Sequence, residues 1–311
     1  MKFKKWRPLP NGMNYDGGIF FTPEFDHRII IDSDDGIFTI GSCFARNIEA
    51  CLNPSFKVPS YILSDNIPED IRIIENNPTR NRVLWHRYNV FSILHSIEWS
   101  LCPPTGFSRL MKVDNTGFVD PYAGCRDILQ QKDAERLVNW ADDTFKQIRE
   151  CRVIIITLGL SEVWEDRETG LVMNCSPLME MWRTYPERFT KRVVSCFETV
   201  EQLENIYALL KRYCPDDFKV IVTVSPIPLA NSFRDVDVAV ANTASKSILR
   251  AAAEEWTSRH QNVHYFPSYE IILNSRQEAV WTEDFRHPNV ESIRHVMKVF
   301  FNHFIEKRTI Q

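Results

Sequence analysis

The chain has 311 residues, 44% of them hydrophobic and 25% charged, with a net charge of -4. That length suits one large α/β domain or two ordinary ones, and the composition excludes wholesale disorder. The acidic balance gives no basis for a nucleic-acid partner, and no apolar run approaches a membrane span. The basic residues 2–7 are followed by Pro8, Pro10 and Gly12, not by the apolar stretch of a signal peptide. Eight widely spaced cysteines with no Cys-x-x-Cys fit reduced thiols, so a cytoplasmic location is expected.

Residues 1–35 read as an irregular extension. Residues 37–40 form a short apolar strand that breaks at Gly41 and feeds a helix over 46–52. A second strand is expected within 56–63, with Pro59 placing it at an edge. Residues 64–129 read as a helical and loop-rich insertion, with a helix at 88–101 stopped by Pro103, Pro104 and Gly106. Regular alternation follows. A helix at 133–149 precedes a β-branched strand at 153–157, then a loop-rich excursion over 165–190. A helix at 200–213, a strand at 219–224, a helix at 242–260, a strand at 263–266 and a helix at 288–305 complete the chain. This order predicts an α/β fold with a mostly parallel sheet covered on both faces. One domain over 36–307 is expected, interrupted by the insertion.

In such sheets ligands bind outside the carboxyl ends of the strands. The first strand ends in Gly41-Ser42-Cys43, two nucleophile types at a helix N-terminus. Far along the chain, Asp284 and His287 lie three residues apart. A carboxylate there orients an imidazole and leaves its other nitrogen free as a base. Pro288 is expected to open the closing helix. A nucleophile, a base and an orienting acid form a complete set for covalent catalysis. Cys43 is the rival to Ser42, because a helix N-terminus lowers a thiol's pKa. Lys246 and Arg250, one turn apart, read as a solvated helix face. Pro226 and Pro228 around Ser225 suggest a rigid cleft wall. No Gly-rich phosphate loop or metal-ligand spacing appears, so no cofactor and no metal are expected.

Gly41-Ser42-Cys43-Phe44-Ala45 resembles the signature of the GSCFA family, within the SGNH/GDSL hydrolase-like superfamily. Thr157-Leu158-Gly159 with Ser161-Glu162-Val163-Trp164, Val224-Ser225-Pro226-Ile227-Pro228, Ser245-Lys246 with Leu249-Arg250, Tyr265-Phe266-Pro267-Ser268-Tyr269-Glu270 and Glu283-Asp284 with His287-Pro288 look like further family motifs in order. The resemblance implies a three-layer α/β/α sandwich. It implies Ser42 as nucleophile with Asp284 and His287 as its partners, and Cys43 turned into the packing. An oxyanion hole would use the N–H of Ser42 or Cys43 and of Gly159. The superfamily's Gly-x-Asn-Asp block stands here as Gly159-Leu160-Ser161-Glu162, so Ser161 or Asn89 is expected to replace the missing amide donor. Glu162, Tyr269, Glu270 and Arg286 are candidate substrate contacts. The expected function is a serine-dependent ester hydrolase or O-acyltransferase acting on O-acylated carbohydrate, such as an O-acetylated bacterial surface polysaccharide. The alternative is a catalytically weak carbohydrate-binding or accessory protein. A small-molecule or carbohydrate ester is the expected partner.

Overall fold

The computed structural model describes residues 15–25, 30–61, 84–106, 108–113, 117–123 and 127–305. Much of the expected insertion, at residues 62–83, lies outside them. Four strands form a parallel sheet: β1 (Ile37–Gly41), β2 (Val153–Leu158), β6 (Lys219–Val224) and β7 (Val263–Tyr265), in the order β7-β6-β2-β1. The intervening β3 (Glu162–Asp166), β4 (Val172–Met173) and β5 (Phe189–Val193) belong to a separate antiparallel sheet.

Alternation along the parallel strands divides the core in two. Phe38, Ile40, Ile154, Ile156, Val220 and Val222 face one side. There they meet α2 (Val90–Leu101), α3 (Gln131–Lys146), α4 (Cys196–Tyr213) and α5 (Val238–Arg259). Ile37, Val153, Ile155 and Ile221 face the other side, against α1 (Cys43–Leu52), α6 (Ser268–Leu273) and α7 (Val290–Phe304). Both sheet faces are therefore covered, which is the expected three-layer α/β/α arrangement.

Three expectations need correction. Residues 56–63 do not supply a core strand. Lys57 makes one parallel bridge to Gly36, residues 59–61 turn helical, and 62–63 lie outside the described residues. The loop-rich excursion over 165–190 also holds regular structure: β4, a short helix at Met179–Thr184 and the facing ends of Glu162–Asp166 and Phe189–Val193, which pair with each other. Pro288 does not open α7. Asn289 is its N-cap, accepting the N–H of Ser292 at 2.9 Å.

β1 ends at Gly41, whose φ of +145° suits glycine alone. A Cβ there would collide with the backbone and hydroxyl of Thr157 on β2. The close approach ties the two strand ends together and delivers the next two residues onto the carboxyl edge of the sheet.

Candidate active site

Helix α1 starts one residue after Ser42, three positions earlier than the apolar pattern suggests. Ser42 occupies the N-cap, but its side chain makes no capping hydrogen bond. Its Oγ is buried with no hydrogen-bond partner among the described residues. Its Cβ faces Gly159, where a glycine Cβ would sit 3.2 Å away. Its own N–H donates to the carbonyl of Thr157 at 3.3 Å. That bond removes the Ser42 N–H from the expected oxyanion hole. The N–H groups of Cys43 and Phe44 open α1 and have no intrahelical acceptor. Both lie near the Cys43 thiol.

Asp284 and His287 lie on the loop that leads into α7. Trp281 and Pro288 bridge its two ends, and Thr282 N–H donates to His287 O at 2.8 Å. Asp284 Oδ1 accepts the N–H groups of Arg286 and His287, each at 2.9 Å, and the Thr282 hydroxyl at 2.7 Å. Asp284 Oδ2 lies 2.5 Å from His287 Nδ1. The His287 backbone N–H, then its ring, then Thr282 hold the Asp284 carboxyl well below the usual range. A carboxylate so placed makes Nδ1 the protonated nitrogen and leaves Nε2 as the base. Nε2 makes no hydrogen bond among the described residues, and Ser42 Oγ is not within hydrogen-bond distance of it. Phe285, between the pair, holds φ +53° and is 77% exposed. A bulky residue in that region is strained, and the four bonds converging on Asp284 hold it there.

The other expected site residues divide sharply. Gly159 stands against Ser42 and against Tyr88 O, so a side chain at 159 would fill the space between them. Asn89 does not reach the turn as an oxyanion donor. It caps α2 through Ser92 N–H at 2.9 Å, and its Nδ2 donates to Met173 O at 2.9 Å. Ser161 is also committed elsewhere: Ser245 Oγ accepts its N–H at 2.9 Å and lies 3.1 Å from its hydroxyl. Glu162 accepts from Ser232 Oγ at 2.8 Å and Phe233 N–H at 3.3 Å, tying the antiparallel sheet to the loop after β6. Glu270 accepts from Tyr265 Oη and Arg250 Nε, so it anchors α6 rather than facing a ligand. Tyr269 packs beside the core, and burial raises its phenol pKa. Arg286 has its Nε buried and unpartnered among the described residues, and its charge favours the thiolate form of Cys43.

His86 was not expected in this neighbourhood, and Lys246 was expected on a solvated face. His86 runs alongside Gly41 in a parallel bridge, and its Nδ1 lies 2.9 Å from Tyr88 Oη. Burial, with Arg46, Arg87 and then His287 nearby, pulls it down to about 3, so this ring is neutral. Lys246 is not on a solvated face. It is 1% exposed, and its Nζ donates to Gly159 O at 2.8 Å. Its spacing to Leu249 and Ala253, three and seven residues on, was the available signal.

The molecule is thus an α/β/α protein with a strand-end turn at the carboxyl edge of its parallel sheet and an Asp–His pair on the loop before α7. The GSCFA family model matches residues 36–300, and the chain belongs to the GSCFA family. No curated protein matches the sequence. Among the described residues, no helix is long and apolar enough to cross a membrane and no cluster of His, Cys, Asp and Glu suits a metal ion.

Proposed function

We propose that the protein is an acyl-transfer enzyme, an ester hydrolase or O-acyltransferase of the SGNH type. The observation that carries this reading is the Asp284–His287 pair, set at 2.5 Å, with Nε2 making no hydrogen bond among the described residues. The turn of Ser42 and Cys43 supplies the nucleophile, Ser42 being the one the family resemblance implies. His287 moves protons, and Asp284 fixes its tautomer and steadies the imidazolium. The N–H groups of Cys43 and Gly159 are the remaining donors for the oxyanion, since Asn89 and Ser161 are bonded elsewhere. An O-acetylated carbohydrate, as in bacterial surface-polysaccharide assembly, is the proposed substrate class.

The commitment of Asn89 and Ser161 favours a second reading, a carbohydrate-binding accessory protein without efficient turnover. Hydrolysis of p-nitrophenyl acetate separates the two. The enzyme reading expects turnover that is lost in His287→Ala. Absence of turnover from well-folded protein, together with no covalent adduct, supports the accessory reading instead.

A further inference from the structure

Around Gly159 the backbone of the turn leaving β2 is closely held. Ser225 N–H donates to Leu158 O at 2.8 Å, and Leu160 N–H donates to Tyr88 O at 2.9 Å. Ser161 N–H donates to Ser245 Oγ at 2.9 Å, and Ser161 O accepts the Val194 N–H at 2.8 Å. Gly159 O accepts from Lys246 Nζ at 2.8 Å. The N–H of Gly159 is the exception. The residue is buried, and this donor makes no hydrogen bond among the described residues. It stands where the turn presses on the end of β1, since a Cβ at 159 would meet Ser42 Cβ at 3.2 Å. A buried donor without an acceptor is rare, and here it lies beside a buried hydroxyl, Ser42 Oγ, that is also unpartnered among the described residues.

Glycine has no Cβ to restrict its φ and ψ, so it cannot aim its own N–H. A side chain at 159 is excluded by Tyr88 O, 2.5 Å from where a Cβ would sit. The direction of the donor is therefore set from outside. Ser225 holds the peptide before Gly159, and Lys246 with Tyr88 holds the peptide after it. Lys246 is an expensive way to hold a loop. It is 1% exposed, and the bond to Gly159 O is the one it makes among the described residues. Ordering its long side chain and stripping its amine of water are both costly. One residue earlier, Ser245 secures the same turn with a small neutral hydroxyl. What the lysine adds is reach, from α5 to the carbonyl next to the unpaired donor. Burial pulls it down to about 7, and Nζ donates to the carbonyl with or without the extra proton.

We propose that Lys246 is a positioning residue of the acyl-transfer centre: it locks the Gly159 peptide so that the unpaired Gly159 N–H meets the acyl carbonyl oxygen as that oxygen gathers charge. The inference rests on the acyl-transfer reading above and adds a residue to it. Lys246 touches neither the substrate nor the reacting atoms. Its effect falls on the transition state, because a donor stabilises an oxyanion best when it is aimed before the charge develops.

Steady-state hydrolysis of p-nitrophenyl acetate by the full chain tests this. Lys246→Met keeps a long stem and removes the donor. Its kcat should fall about 10- to 100-fold while KM stays within about twofold, as for a contact made only in the transition state. Lys246→Gln, whose amide stops one atom short of the lysine amine, should fall between Lys246→Met and wild type. Arg250→Met is the structural control. It breaks the 2.8 Å bond from the same helix to Glu270 and should leave kcat nearly unchanged. Wild-type kcat in Lys246→Met overturns the inference and leaves the acyl-transfer reading standing, as does a loss confined to KM or matched by Arg250→Met. If Lys246→Met does not fold, Lys246→Gln decides: a lower kcat at unchanged KM supports the inference, and wild-type kcat overturns it. A well-folded wild-type chain that hydrolyses no ester removes the reading and the inference together.

Discussion

Asp284 uses both carboxylate oxygens, one on the backbone N–H groups of Arg286 and His287 and one on the His287 ring. Replacing it with asparagine preserves the shape but presents an N–H₂ group to one side of that network. The His287 ring then loses the acceptor that fixes its tautomer. Asp284→Asn and His287→Ala are each expected to lower kcat for acetyl-ester hydrolysis by about 10²- to 10⁴-fold, the usual worth of a positioned acid–base group. Steady-state kinetics on the two variants checks this, and KM should change far less than kcat. Binding-limited losses, seen in KM alone, would place the pair in recognition and not in proton transfer.

At the scale of elements, the site depends on two short stretches of unusual backbone. Gly41 lets β1 approach Thr157, and a Cβ has no room there. Gly41→Ala is expected to destabilise the fold by at least about 2 kcal/mol, read from the urea midpoint. Phe285 is the opposite case, a bulky residue in the left-handed region whose ring is mostly exposed. Phe285→Gly should leave stability unchanged or raise it by up to about 1 kcal/mol, while ester turnover falls because the loop no longer fixes His287. The sequence makes some of these elements plain and hides others. Val153–Leu158 and Lys219–Val224 are covered on both faces and read as continuous apolar runs. Glu162–Asp166 and Phe189–Val193 do not, because their pairing uses charge: Arg188 with Asp166 at 2.6 Å, and Arg192 with Glu165 at 2.8 Å. The Asp284–His287 contact is legible because it spans three residues. The commitments of Asn89 to Met173 and of Ser161 to Ser245 each span 84 residues, and local spacing carries no trace of them. Lys246 was hidden by its chemistry, since a lysine on a helix is ordinarily read as solvated.

Across the whole molecule, two buried bases make stability depend on pH. His86 sits at about 3 in the folded chain against 6.5 for a free imidazole. Between those values the unfolded chain binds a proton that the folded chain does not, so acidification destabilises the fold. Lys246, at about 7 against 10.5, acts in the same sense at higher pH: its contribution to stability rises as pH increases from 7. Each group contributes a slope of about 1.4 kcal/mol per pH unit inside its window. The elevated Cys43 thiol opposes the Lys246 slope above the ordinary thiol value of 9.0, so the clean window is from 7 to 9. Urea midpoints should rise across that interval, and Lys246→Met should flatten the rise. A wild-type profile as flat as that of the variant would mean that Lys246 is not held neutral.

The central claim is that the turn at the end of β1 carries an acyl group during turnover. Rapid-quench mass spectrometry of the intact chain with p-nitrophenyl acetate, followed by peptide mapping, addresses it directly. The account predicts one acetyl group on the peptide containing Ser42 and Cys43, formed as fast as or faster than steady-state turnover. Turnover without acylation of that peptide, or acylation confined to surface lysines, would contradict it.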